Sequence, residues 1–205
     1  MGINVGGNIV SSNSLKEYEY NSVIQDGLIC HLDARIFDTI SGTTWYDFSG
    51  NGSHATLYNG PTYNSGEGSL SFDGTNDYAL ISTITDYKSV NLWFYVDAGG
   101  AYGFDARTGS PNGYFWFPQL GPDWSDMYVN GVSVTDSMDN IPLGQWSNVY
   151  IKNSAKRTGG IYLFCRYTVQ EYKAGKYSQF LVYNRDLTAA EILHNYNVSK
   201  SRYGL

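Results

Sequence analysis

Asp47, Ser49 and Asn51 occupy alternate positions in the segment WYDFSGNGSHATLYNGPTY (residues 45–63), and Gly52 follows them. The pattern D-x-S-x-N-G is the front half of an oxygen-rich calcium loop, because Ca²⁺ is a hard cation that takes carboxylate, carbonyl and other oxygen donors in flexible geometry. Where an EF-hand loop places its closing bidentate glutamate, this chain has Tyr58. The same residues also suit a structural turn. Gly50, Gly52 and Gly60 can take positive φ without steric cost, and Asn51 and Asn59 tolerate it better than most residues. Asp47 can accept from the amides of the tight turn that follows it, and Trp45 and Phe48 can anchor the loop ends to a core. A second acidic cluster, Asp73, Asn76 and Asp77 in FDGTNDY, reads as a hairpin turn.

Acid chemistry on a sugar needs two carboxylates across a cleft. A strand carrying two acids at alternate positions would supply them, and no such strand motif is present. The glutamates are Glu17, Glu19, Glu67, Glu171 and Glu191. Only the first two alternate, and they lie in a polar N-terminal stretch. His31, His54 and His194 are scattered, without a partner at metal-ligand spacing. No G-x-S-x-G or phosphate loop occurs. The sequence therefore predicts a chain that is not an enzyme and has no catalytic residues.

Aromatic rings offer a different chemistry, since sugars present flat C–H faces to them. In GYFWFPQLGPDW (113–124), Tyr114, Trp116 and Trp124 are the candidate ligand-binding rings. Strand alternation puts Phe115 and Phe117 on the opposite side, so one set belongs to a core. Trp93 and Trp146 read as core anchors.

These residues need a scaffold, and the composition says which kind. The chain has 205 residues with 23 Gly, 19 Tyr, 16% aromatic and only 16% charged residues, a usage suited to strands and turns. The net charge of −6 argues against a nucleic-acid partner, which calls for a basic face. The N-terminus has neither a basic leader nor a long apolar run, so no signal segment and no membrane insertion are expected. Cys30 and Cys165 sit in apolar runs and read as buried free thiols.

Residues 1–25 are Gly/Asn/Ser-rich and read as an extended arm, with one strand at 3–5. Ile3, Val5, Ile9 and Val10 are the β-prone residues that could attach it to a neighbour's sheet edge. Residues 26–205 form the folded domain. GLICHLDA, SLSFDGTNDYALIS, VNLWFYV, WSNVYIK, GIYLFCRYTV and YSQFLVYN read as separate short strands between turn signals. Only LTAAEILHNYNVSK reads as a helix, over about 188–198, with Thr188 and Glu191 spaced as a capping box.

Five pieces in order carry a resemblance: GLICHLDA, TTWYDFSGNGSHATLYNGPTY, SLSFDGTNDYALI, PLGQWSNVYI and YSQFLVYNRDLTAAEILHNYN. Together they resemble the laminin-G-like, concanavalin A-like jelly-roll domains over about residues 26–200. The resemblance implies an all-β fold, a two-sheet antiparallel jelly-roll sandwich with a short C-terminal helix. Many such domains bind Ca²⁺ near the loop of Asp47, Ser49 and Asn51, often with an acid from the strand before the closing helix. Here that strand has Ser178 and Gln179 instead. The closing segment resembles, more narrowly, copies of this domain in bacteriophage virion proteins. That implies a non-enzymatic virion structural protein, made in the host cytoplasm and displayed on the virion surface, on capsid or tail. Its partners would be other virion proteins through the arm, host-surface glycans or proteins, and further copies of itself. The alternatives are a free-standing carbohydrate-binding lectin-like domain and a glycoside hydrolase of the jelly-roll class.

Overall fold

Apolar residues at every second position bury one face of a strand and leave the other for solvent or a further layer. The computed structural model describes residues 3–5, 8–10, 22–36, 40–100, 102–108, 112–116, 119–135 and 140–205. Among the described residues there are sixteen strands: β1 (Ile3–Val5), β2 (Asn8–Val10), β3 (Leu28–Asp33), β4 (Ile40–Ser41), β5 (Thr44–Trp45), β6 (Ala55–Tyr58), β7 (Thr62–Asn64), β8 (Ser69–Asp73), β9 (Tyr78–Tyr95), β10 (Tyr102–Asp105), β11 (Tyr114–Trp116), β12 (Gln119–Leu120), β13 (Trp124–Val129), β14 (Val132–Ser133), β15 (Trp146–Leu163) and β16 (Ala174–Tyr183). One α-helix follows, α1 (Ala189–Ser199), and a 3₁₀ turn at Lys200–Tyr203.

The strands form an antiparallel two-layer jelly-roll sandwich. The first layer runs β14–β13–β15–β9–β16, with β3 and β8 sharing the far edge of β16 and β7 beyond β8. The second runs β4–β5–β6–β9–β15–β10–β11–β12. Strands β9 and β15 belong to both. Each is 18 residues long, and they stay paired while passing from one layer to the other, with register shifts between Lys152 and Ile161.

The sequence reading divides each of these long strands in two. The polar residues at 83–89 and 153–159 look like turns, but they bend two strands together at the sandwich edge. Thr83, Thr85, Asp86, Ser154 and Lys156 face solvent there, Ile84, Tyr87, Ser89 and Asn153 stay buried, and the backbone ladder continues. Two segments rich in turn residues take other roles. The segment 45–63 is not one loop, because β6 lies inside it and pairs with β9. The Asp73–Asp77 turn does not close a hairpin, because β8 pairs with β7 and β16, not with β9. It carries the chain from the first layer to the second. Asp73 Oδ1 accepts from the Thr75 amide at 2.7 Å, and Gly74 has φ 75°, where a Cβ would come within 2.7 Å of the Ala174 nitrogen.

Between the layers lies the main core. Leu92, Phe94, Val149, Ile151 and Phe180 come from the first layer and meet Trp45, Ile81, Phe104, Phe115 and Ile161 from the second. Each such side chain contributes about 1.5–3 kcal/mol on burial. A smaller core lies outside the first layer, where Ile192 of α1 and Leu187, just before the helix, pack with Tyr150, Leu181 and Tyr183. Thr188 caps α1: its side chain accepts from the Glu191 amide, and the Glu191 carboxylate accepts from the Thr188 amide. Asn195 of α1 donates to Asn91 Oδ1 at 3.3 Å and Tyr183 Oη at 3.0 Å, pinning the helix to the sheet. Trp93 is buried in this outer layer, stacked on Tyr203 with centroids 4.0 Å apart.

At the N-terminus, β1 and β2 pair with each other, Ile3 opposite Val10, so two strands stand where one was expected. Residues 11–21 of the segment read as an arm lie outside the described residues, while 22–25 pack on the domain, with Val23 buried in the smaller core and the Ile24 amide donating to Asn195 Oδ1 at 2.9 Å. Cys30 and Cys165 are free and buried, as the sequence predicts.

Candidate functional site

Asp47, Ser49 and Asn51 do come together, through hydrogen bonds among themselves. Asp47 Oδ1 accepts from the amides of His31 at 2.7 Å and Ser49 at 2.8 Å. Its Oδ2 accepts from Ser49 Oγ at 2.8 Å and the Ser53 amide at 2.9 Å. Asn51 Nδ2 donates to Ser49 Oγ at 3.0 Å. A carboxylate has about four lone-pair sites, and protein donors fill all of them. A cation here would have to displace that set. Among the described residues no group of three or more His, Cys, Asp or Glu is placed to hold a metal ion. The reading of Asp47 as acceptor for the turn amides holds at Ser49 and Ser53; its reach back to the His31 amide of β3 was not legible. Of the positions read as tolerant of positive φ, Gly50, Gly52, Asn59 and Gly60 adopt it. A cleft of about 220 Å³ lies beside this loop, lined by Ile29, Asn51, Ser53 and Thr83–Thr85 of the β9 bend.

The three candidate rings divide. Tyr114 and Trp116 lie half-buried on the outer face of the second layer, while Phe115 between them is core. Trp124 does not join them. It is 4% exposed, begins β13, and meets Phe104 edge-on at 5.3 Å in the core. Its indole is a packing element, a correction that turns on which face of β13 points inward. Phe117 lies outside the described residues.

What Tyr114 and Trp116 join is a larger surface that sequence reasoning did not find. Directly opposed residues of antiparallel strands share a face. The row Thr56, Leu80, Tyr162, Asp105, Tyr114 runs across β6, β9, β15, β10 and β11. Tyr58 and Tyr78, also opposed, stack at 4.5 Å, and Tyr78 lies 6.2 Å from both Tyr162 and Tyr172. Tyr58 and Tyr167 are 37% and 36% exposed; Tyr162 and Tyr172 are half-buried. The rings therefore stand on a rigid sheet with faces and edges reaching solvent.

A buried ion pair fixes one end of this surface. Asp105 is fully buried, and Arg107 forks onto it at 3.0 Å and 2.5 Å. The Asp105 carboxylate also accepts from the amides of Arg107 at 3.0 Å and Tyr167 at 3.1 Å, tying the loop after β10 to the loop after β15. The guanidinium carbon sits 4.9 Å, 5.0 Å and 4.9 Å from the ring centroids of Tyr102, Tyr114 and Tyr167. Burial alone would lower the Arg107 pKa, but hydrogen bonding and charge from Asp105, with Tyr102, raise it above its ordinary value. The pair is thus a cation–anion pin under a tyrosine cluster. Burial first, then neighbouring Tyr58, Cys165, Tyr162 and Tyr172, push the Tyr78 hydroxyl up to about 12. Burial likewise raises Tyr162. Both stay as neutral hydroxyls at physiological pH.

No family model matches the chain. No curated protein matches it. Solved structures do. Trypanosoma rangeli sialidase is similar at 12% identity and a TM-score of 0.59, over 93% of this chain and 38% of the sialidase chain. The same sialidase in complex with sialic acid is similar at 14% identity and a TM-score of 0.55, over 85% of this chain and 33% of that one. The ligand binding domain of botulinum neurotoxin serotype D, in complex with N-acetylneuraminic acid, is similar at 11% identity and a TM-score of 0.53, over 88% of this chain and 52% of that chain. The chain spans about a third of the sialidase chains and half of the toxin domain. The likeness at this identity shows the fold, an all-β sandwich. The expectation that the chain is not an enzyme is corrected here, because the same fold occurs in sialidase chains, which are enzymes.

Proposed function

We propose that this protein is a carbohydrate-binding β-sandwich that takes glycans on the tyrosine-lined outer face of its second layer. The observation that carries this reading is the set of partly exposed rings, Tyr58, Tyr114, Trp116, Tyr162 and Tyr167, held on one rigid face. Such rings stack on sugar C–H faces, and their hydroxyls hydrogen-bond to sugar hydroxyls. The shared fold adds support, since the toxin domain and one sialidase structure each hold a sugar acid. Display on a virion, with the β1–β2 arm as attachment, rests on the closing segment of the sequence alone. None of the structures named above is a virion protein, so the sugar-binding reading is preferred.

A glycan array with the intact chain tests it, followed by the Tyr114→Ala/Tyr162→Ala double variant. The expected result is binding to one class of glycan, weakened at least about tenfold in the variant, with melting temperature changed by only a few degrees. Binding that survives the double variant would place the sugar elsewhere on the sandwich.

A further inference from the structure

We infer that the tyrosine face selects uncharged glycans and disfavours sialylated or otherwise anionic ones, although related folds have been solved with sialic acids. This inference rests on the sugar-binding reading above and names its ligand class.

The argument is an accounting of charge. An acidic sugar bound at a protein surface needs a cation free to meet its carboxylate, best a guanidinium fork. Among the described residues the cations at this face are Arg107, Arg166 and Lys173, and each has an acidic or carbonyl partner. Arg107 is forked onto the fully buried Asp105, and three tyrosine rings surround it. Its side chain is 14% exposed and its charge is cancelled at contact distance. Arg166 pairs with Glu171 at 2.7 Å. Lys173 is buried and donates to the carbonyls of Ala98 and Gly99. The residues flanking the described parts of these strands, Ala101, Gly109, Ser110, Pro111, Phe117 and Pro118, carry no charge.

The rings themselves add to the selection. An aromatic face bears the negative end of the ring quadrupole, so it attracts C–H groups and cations and repels a carboxylate. Tyr78 and Tyr162 titrate above their ordinary range, so near neutral pH they offer hydroxyls without charge. The net charge of −6 sets the long-range field against an anion as well. A neutral glycan meets none of these penalties: stacking and hydroxyl contacts suffice, and no charge is stripped of water.

The test reads the array in matched pairs, each neutral glycan beside its sialylated or sulfated counterpart, with the wild-type chain. The expected result is binding confined to neutral members, with each anionic partner at least about tenfold weaker. Titration calorimetry of the best neutral ligand should give a Kd that changes less than about twofold between 50 and 500 mM NaCl, because no ion pair is made. Equal or tighter binding of the anionic partner, or a Kd that weakens severalfold with salt, overturns the inference and leaves the sugar-binding reading in place. An array without any hit overturns both. Binding that prefers neutral glycans yet survives the Tyr114→Ala/Tyr162→Ala variant overturns the assignment to this face.

Discussion

At the scale of single residues, two carboxylates organise the loops, and neither is spare. Asp105, itself fully buried, holds the Arg107 fork and the Tyr167 amide. Asp105→Ala leaves the Arg107 guanidinium without its partner, and losses from broken buried pairs run to about 3–5 kcal/mol. Chemical denaturation of the variant should show a destabilisation of that size. Asp47 gathers four donors from three residues, His31, Ser49 and Ser53. Asp47→Ala strands the buried His31 amide among others, so a loss of about 2 kcal/mol or more is expected by the same assay. Because protein donors fill the carboxylate, addition of calcium or of a chelator should leave the melting temperature unchanged. A calcium-dependent rise would show that the clamp opens for a cation.

At the scale of elements, the closing segment is held by a cap and by one buried acid. Thr188→Ala removes a reciprocal capping box, which typically costs about 1 kcal/mol. In a chain of this size that lowers the melting temperature by about 2–4 °C. Asp33 is the acid. Burial would raise its pKa, but the His31 ring, the Arg202 guanidinium at 3.0 Å and the Arg35 amide bring it down to about 2. A depressed carboxyl pKa adds stability that is complete above the unfolded value of 3.8 and is lost as pH falls through about 2. The linkage amounts to about 2 kcal/mol. Stability measured from pH 5 down to pH 2 should fall by that amount more in the wild type than in Asp33→Asn. Parallel curves would assign the acid sensitivity to other groups.

At the scale of the whole molecule, the two outer faces of the sandwich differ. The first layer is covered by α1 and by the 3₁₀ turn, with Trp93 stacked against Tyr196 and Tyr203. Removal of residues 200–205 takes away one of those rings and the Arg202–Asp33 pair. The tryptophan emission of the truncated chain should shift to the red as Trp93 meets water. An unshifted spectrum would mean that α1 alone shields the ring. The second layer has no helix over it among the described residues, so its outer face carries tyrosines whose rings reach solvent. Among the described residues one face is covered and the other carries a broad aromatic surface.

Much of this architecture is written in local order. Alternation gave the strand faces, so Tyr114 and Trp116 fall together and Phe115 falls opposite. Thr188 and Glu191 marked the helix start to within one residue, and Gly and Asn marked the turns. These are contacts between near neighbours, and near neighbours are what a sequence pattern records. The tertiary structure decided the rest. Trp124 became core and Tyr162 became surface because β13 and β15 face particular partners, and pairing between distant strands is not encoded in either strand alone. The tyrosine face draws on β6, β9, β10, β11 and β15 and on the loop after β15, from Tyr58 to Tyr172. The glycines and polar residues at the bends of β9 and β15 look like strand ends locally. They became crossings between layers because two long strands bend as a pair, each satisfying the other's backbone.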